Sequence, residues 1–278
     1  MTNNNFPLIM GIINVTPDSF SDGGLHLQAD SAINHALLLA SQGADILDIG
    51  GESTRPGAIS ISAKEELIRV IPVIQGIRDA GCELPISIDT IKPVVARKAI
   101  EAGATIINDI SGLALGTELA LIAAEYDASL IIMHSKGTPQ TMQINPYYHD
   151  IVQEIASFLL EKAHIAKECG VKDIILDIGI GFGKTVDHNW QLLSSLSTFA
   201  TLGYPLMLGI SRKSFIGKSL LIDTPAERDI TTALLHAMLL HTKMHILRVH
   251  NVKLMDQLRV LYSLLEQNKN TKGENYDE

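Results

Sequence analysis

Eight short apolar runs punctuate the chain, at 8–13, 45–49, 85–88, 105–107, 129–133, 173–176, 205–210 and 245–249. Each stops on one or a few polar residues: Asn14, Glu52/Ser53/Thr54/Arg55, Asp89, Asn108/Asp109, His134, Asp177, Ser211/Arg212/Lys213 and Arg248/His250. Between the runs, apolar residues recur near every 3.6 positions, as in Leu37/Leu38/Ala40 and Ile151/Ile155/Phe158/Leu159. This spacing predicts helices over 28–42, 62–80, 92–102, 117–126, 149–169, 187–199, 225–241 and 251–267. Near-continuous apolar strands alternating with helices mean a parallel sheet covered by helices. No linker or shift of composition divides the chain. Residues 1–278 therefore read as one α/β domain, a closed (β/α)8 TIM barrel over about 8–266, rather than an open doubly wound sheet.

The loops carry the same message. Helix-to-strand turns are short and contain Gly43, Gly81, Gly103, Gly170 or Gly203, as the left-handed position after a helix favours. Strand-to-helix loops 1, 2 and 5 are long, over 14–27, 50–61 and 134–148. Barrels keep long loops on the catalytic face. The polar residues that end the runs converge there.

Composition narrows the chemistry. Of 278 residues, 46% are hydrophobic but only 5% aromatic, so aliphatic side chains must pack the core. A net charge of −9 with no Lys/Arg stripe excludes a nucleic-acid partner, and any anionic substrate must meet a local cationic cluster. Cys82 and Cys169 lack metal or redox spacing and suit a reducing cytoplasm. No signal peptide is expected at the N-terminus, and no membrane association. The uncharged stretch 188–211 contains four serines, Gly203 and Pro205, and reads as helix, turn and strand, not as a membrane span. A polar tail over 268–278 is expected to be disordered.

Asp89 and Asp177 each end an apolar strand. Singly, each reads best as a helix N-cap. Together, and joined by Asn108, they offer acceptors plus an amide that donates and accepts, which suits a flat heterocycle with amino and ring N–H groups. Arg55, Lys213 and Arg248 with His250 form three cationic groups on the same face. They suit a phosphate or diphosphate; the plainer reading pairs them with nearby acids. The glycines of 179–185 match neither a P-loop nor a dinucleotide fingerprint, and more simply let backbone approach a ligand that Phe182 walls. No zinc spacing or catalytic Ser-His-Asp set is readable, and His134 and His250 stand alone. A hard cation shared between an amide oxygen and phosphates is compatible with the pattern. Composition and pattern thus lead to a barrel enzyme for a phosphate-bearing, nitrogen-rich heterocycle.

Residues 10–24 (MGIINVTPDSFSDGG) and 48–57 (DIGGESTRPG) closely resemble two signatures of the dihydropteroate synthases. The segments 87–90, 108–112, 133–134, 179–185, 211–213 and 248–250 follow in that family's order, and the resemblance covers 8–266. It implies a transferase of folate biosynthesis that joins (7,8-dihydropterin-6-yl)methyl diphosphate to 4-aminobenzoate and releases diphosphate. By the same resemblance Asp89, Asn108, Ile110, Met133, Asp177, Phe182, Gly209 and Lys213 would hold the pterin. Ser53, Thr54, Pro56 and Ser214 would border the aminobenzoate, while Asn14, Arg55, Arg248 and His250 would take the diphosphate, Asn14 also ligating Mg2+. Asp22, Arg55, Lys213, Arg248 and His250 would act in catalysis, with Asp22 and the 53–55 segment on loops that close over the site. A cytoplasmic homodimer is implied. Ile178 and Lys243 replace a usual proline and glycine, Asn251 replaces an aspartate whose charge near His250 is lost, and 228–232 is bulkier than expected. His134 receives no role. A methyltetrahydrofolate-dependent corrinoid methyltransferase and a non-catalytic pterin-binding paralogue are the competing readings.

Overall fold

The computed structural model of the chain describes residues 6–16, 25–55, 57–138 and 140–273. Asp22, expected on a closing loop, and Pro56, expected beside the aminobenzoate, lie outside them. Eight parallel strands close in sequence order, each pairing with the next and β8 with β1. They are β1 (Leu8–Asn14), β2 (Ile46–Gly50), β3 (Ile86–Asp89), β4 (Ile106–Asp109), β5 (Ser129–Met133), β6 (Ile174–Asp177), β7 (Leu206–Leu208) and β8 (Ile246–Val249). The barrel and its strand order are those expected from the apolar runs.

Strand side chains alternate between two sides, and this sorts the core. Met10, Ile46, Ile106, Ile131, Ile175, Met207 and Ile246 form a buried cluster of their own that plugs the barrel. Ser87 is the buried β3 residue beside Ile106 in register. Residues of the other parity, such as Ile49, Ile88, Ile107 and Leu176, join a larger cluster under the helices. Two positions beyond the plug, on the same inward parity, come Asp48, Asp89, Asn108, Met133, Asp177, Gly209 and Arg248. The polar site is therefore the next layer of the same barrel.

The helices are α1 (Leu25–Ser41), α2 (Ala63–Asp79), α3 (Pro93–Glu101), α4 (Glu118–Glu125), α5 (Ile151–Glu168), α6 (Val186–Ser194), α7 (Leu196–Ala200), α8 (Ser214–Leu220), α9 (Asp229–Leu239) and α10 (Val252–Gly273). Local chemistry starts several of them. Ser62 accepts the Glu65 N–H, Asp150 accepts from Val152 and Gln153, and Thr185 and His188 form a reciprocal capping box. Gly43, at φ +98°, ends α1 where any Cβ would strike Arg259 and Asp256. Arg259 on α10 reaches back to Asp45 at 2.9 Å and to the Gly43 carbonyl at 2.8 Å, tying the last helix to the foot of β2.

Four expectations change. The helix expected over 187–199 breaks at Ser195 into α6 and α7. The seven-residue α8 escaped the pattern because it is too short for helical periodicity to register, and no side chain caps it. The segment expected as one helix over 225–241 begins and ends in 3-10 turns, at Pro225–Arg228 and Leu240–Thr242. The tail read as disordered from 268 is helical through Gly273, where α10 ends; 274–278 lie outside the described residues. The stretch 188–211 resolves into α6, α7 and β7, and among the described residues no helix is long and apolar enough to cross a membrane.

His236 on α9 is fully buried, and burial lowers its pKa to about 4. Unfolding restores an ordinary imidazole, which binds a proton more readily, so this group removes stability as pH falls from about 6.5 toward 4. The shift corresponds to about 3 kcal/mol at its limit. His236→Leu should therefore gain stability relative to the parent as pH drops through that window in urea titrations. A stability difference independent of pH would show that His236 is not the group responsible.

Candidate active site

The layer above the plug is built around one arginine. From β8, the Arg248 Nε reaches Asp48 Oδ2 at 2.6 Å, and its Nη2 reaches Asp89 Oδ2 at 2.8 Å. Asp48 is completely buried. Burial raises the Asp89 carboxyl to about 7; Arg248 opposes the shift, and the Asp48 charge adds to it. Asp89 Oδ1 and Asn108 Oδ1 are buried and have no hydrogen-bond partner among the described residues. Register sets Asp89 beside Asn108 on neighbouring strands. Two open acceptors side by side are what a ligand bearing amino and ring N–H groups would satisfy.

Asp177 forms the opposite wall. It is buried, and desolvation raises its pKa while Lys213 pulls it down. Burial lowers Lys213 to about 8, with Asp177 opposing. The Lys213 Nζ donates to the Ile180 carbonyl and lies 4.3 Å from the Phe182 ring centroid. Neither aspartate is a helix cap: Lys92 occupies that position in α3 and Thr185 in α6. Ile178, where a proline was expected, is buried and does not loosen the turn. Asp177 Oδ1 accepts the Gly179 N–H at 2.7 Å, and a Cβ on Gly179 (φ +65°) would stand 1.8 Å from the His134 carbonyl oxygen.

A third cluster sits at the ends of β7 and β8. Ser211 Oγ accepts the His250 backbone N–H at 3.1 Å and lies 2.9 Å from His250 Nδ1. The Ser211 hydroxyl and Nδ1 share one hydrogen bond, whose donor depends on the imidazole tautomer. Burial, followed by Arg212 and Arg248, lowers His250 to about 3, so the imidazole is neutral. Asn251 does not leave His250 without negative charge, as the sequence implied. Asp229 supplies it, taking Arg212 at 2.7 and 2.8 Å and the Asn251 amide at 3.2 Å, while Asn251 Oδ1 accepts the Leu254 N–H in the first turn of α10. The bulky Arg228 is buried and donates to the carbonyls of Arg212, Ile222 and Asp223, so it braces this end of the pocket. Lys243 takes the left-handed φ of +58° that made glycine the expected residue.

One pocket gathers Asn14, Ser53, Thr54, Arg55, Asp89, Phe182, Gly209, Lys213, Ser214, Arg248 and His250. Asn108, Met133 and Asp177 are buried but do not border it, and Ile110 is half-buried just past β4. The cations differ in how they are held. Arg248 and Arg212 pair with acids, as the plainer reading had it, whereas Arg55 is exposed and forms no ion pair among the described residues.

Sequence reasoning missed three supports. Asp48 hid inside an apolar run, although its parity with Ile46 marks it as inward. Ser211 stands out from its polar cluster only in the fold, where it touches both the His250 ring and its backbone N–H. Lys92 pairs with Glu52 and, at 2.5 Å, with the buried Glu66, while Arg69 donates to the Gly51 carbonyl at 2.8 Å. These contacts anchor the root of the β2–α2 loop, and their spacing of 18 to 40 residues leaves no local signal.

Arg248→Met would leave Asp48 and Asp89 buried together without a counter-charge. The loss of unfolding free energy should be about 3–5 kcal/mol at pH 8. At pH 6 it should be smaller, because Asp89, already raised to about 7, can accept a proton. An equal loss at both pH values in urea unfolding would contradict this account.

Residues 10–250 match the family described as pterin binding enzyme. The dihydropteroate synthase of Synechocystis is 46% identical over 252 residues, covering 90% of this chain and 87% of its own. That of Escherichia coli is 43% identical over 274 residues, covering 96% and 95%. The structure of the Xanthomonas albilineans dihydropteroate synthase with 4-aminobenzoic acid superposes with a TM-score of 0.87 at 40% identity, covering 94% of this chain and 93% of that one. With its barrel, its layered acceptors and its cationic rim, the chain belongs to the dihydropteroate synthase family of pterin-binding transferases.

Proposed function

We propose that the chain condenses (7,8-dihydropterin-6-yl)methyl diphosphate with 4-aminobenzoate, giving 7,8-dihydropteroate and diphosphate in folate biosynthesis. The observation that carries this reading is the vertical order of the pocket. Asp89, with an unsatisfied acceptor, lines the pocket in the layer above the plug beside the buried Asn108. Asn14 and His250 stand two positions further out, on β1 and past β8, and Arg55 is exposed. A substrate with a heterocycle at one end and a diphosphate at the other spans that order. Asp89, Asn108 and Asp177 would take the pterin donors, Met133 and Phe182 would frame the ring, and Ile110, Gly209 and Lys213 would complete the pocket. Ser53, Thr54, Pro56 and Ser214 would receive the aminobenzoate, with Asp22 on the closing loop.

The chemistry is a dissociative substitution. The C–O bond to diphosphate breaks as the pterin feeds electrons to the methylene, and the neutral arylamine attacks that carbon. The carboxylates would offset positive charge on the ring, while Arg55, Arg248 and His250 would hold the leaving group. Arg248 is engaged with Asp48 and Asp89, so gripping the diphosphate means sharing or exchanging those partners. Loop closure would keep water from the cationic carbon. Mg2+ would neutralise developing charge on the leaving diphosphate. Among the described residues no three His, Cys, Asp or Glu side chains could hold a metal. Asn14, which borders the pocket, would hold the ion through its amide oxygen, with the diphosphate supplying most other ligands.

A cytoplasmic homodimer fits the remaining features. Both cysteines are free. Ile230, Leu234 and Met238 on α9 and Val260, Leu261, Leu264 and Leu265 on α10 are large exposed hydrophobics on two helices that pack together.

Purified protein should form 7,8-dihydropteroate from the two substrates with Mg2+, and chelation should suppress turnover. Arg248→Ala should lower kcat/KM by about 100-fold or more. Asp89→Ala should chiefly weaken pterin binding, read by calorimetry. Wild-type protein that binds the pterin but releases no diphosphate would favour the non-catalytic reading, and methyl transfer from methyltetrahydrofolate would favour the corrinoid enzyme.

A further inference from the structure

The glycine-rich segment after β6 carries the Phe182 wall, and four successive carbonyls in it are each taken by a side chain. The Lys213 Nζ donates to Ile180, the Gln143 Nε2 to Gly181 at 3.0 Å, the Lys184 Nζ to Phe182 at 3.0 Å, and the Tyr148 hydroxyl to Gly183 at 2.9 Å. Its amides are held too: Gly181 donates to Asn189 Oδ1 at 2.6 Å. Gln143 and Tyr148 come from the long loop after β5. Lys184 is only 2% exposed, and its Nζ lies 3.0 Å from His134 Nδ1 as well as 3.4 Å from the His134 carbonyl. The ring of His134 packs edge-on against Phe158 and tilted against Tyr148.

The pair is chemically consistent. Burial, then the Lys184 charge, lowers His134 to about 2, leaving a neutral ring with Nδ1 available as acceptor. Burial likewise lowers Lys184 well below an ordinary amine. Lys184 is aimed at His134 and two backbone carbonyls, so it does not serve as a phosphate ligand.

A segment with glycine at 179, 181 and 183 has high backbone entropy unless it is held. Lys213 both contacts the Phe182 ring and donates to a carbonyl of that backbone. We propose that Gln143, Tyr148 and Lys184, with His134 as the seat of Lys184, are positioning residues that preorganise the pterin wall. The β5–α5 loop then acts as a pterin-affinity element, separate from the loops that meet the aminobenzoate. This rests on Phe182 and Lys213 flanking the pterin.

The test uses Tyr148→Phe, Gln143→Glu and Lys184→Met in the full chain. Binding of 6-hydroxymethyl-7,8-dihydropterin diphosphate is measured by calorimetry, and 4-aminobenzoate KM at saturating pterin. One lost preorganising hydrogen bond should weaken pterin binding roughly five-fold. Lys184→Met, which loses its hydrogen bonds to Phe182 and His134 together, should weaken it more than ten-fold. The aminobenzoate KM should stay within about two-fold in all three, which a general loss of structure would not produce. Pterin binding unchanged in Tyr148→Phe and Gln143→Glu, or both substrates weakened alike, overturns the proposal. Those two variants decide the matter if Lys184→Met does not fold. Wild-type protein that fails to bind the pterin at all would instead refute the functional reading on which the inference stands.

Discussion

Inside a closed eight-stranded barrel, every second residue of every strand must share one narrow interior, and this crowding governs the rest of the molecule. The lower layer solves it with isoleucine and methionine. The next layer contains charge, and charge without water is costly unless it is paired. Asp48, Asp89 and Arg248 are the settlement: two carboxylates from neighbouring strands share one guanidinium delivered from β8, past β1. At Asp89 burial outweighs the pull of Arg248, which is why that carboxyl titrates near neutrality. A site poised in this way is ready for a donor-rich ligand that becomes positive as it reacts.

The same dry interior acts on the bases. His134 and His250 are held neutral, and Lys213 sits close to neutrality. Their rings are held by geometry: Ser211 contacts His250 Nδ1, and Lys184 contacts His134 Nδ1. The site therefore meets anions largely with oriented donors and one exposed guanidinium, and depends little on the protein's net charge, which has the wrong sign.

The barrel was legible because its signals are local. Each apolar run and each helical stripe lies within one stretch of chain, and the polar residues closing the runs mark the catalytic end. Asp89, Asn108 and Asp177 could be found for that reason. Asp48 could not, since it is flanked by Ile46, Leu47 and Ile49 and resembles a gap in a buried strand. Lys92 with Glu52 and Glu66, or Lys184 with His134, were beyond reach because folding alone brings them together. The two departures that raised doubt, Ile178 and Asn251, are absorbed by the Gly179 amide and by Asp229. The Asp229 partner, 22 residues from Asn251, is not recognisable from spacing.

Arg248 and Asp48 are 200 residues apart, and the β1–β8 seam joins the two ends of the sequence. Such contacts can form only after nearly the whole chain is available, and loop-closure entropy makes them late events in folding. Until β8 docks, the sheet is open along that seam and Asp48 and Asp89 can keep their water. Expelling that water, neutralising the carboxylates and sealing the sheet are thus a single step. A polypeptide emerging from the ribosome acquires its reactive centre at the same moment that it acquires its final shape.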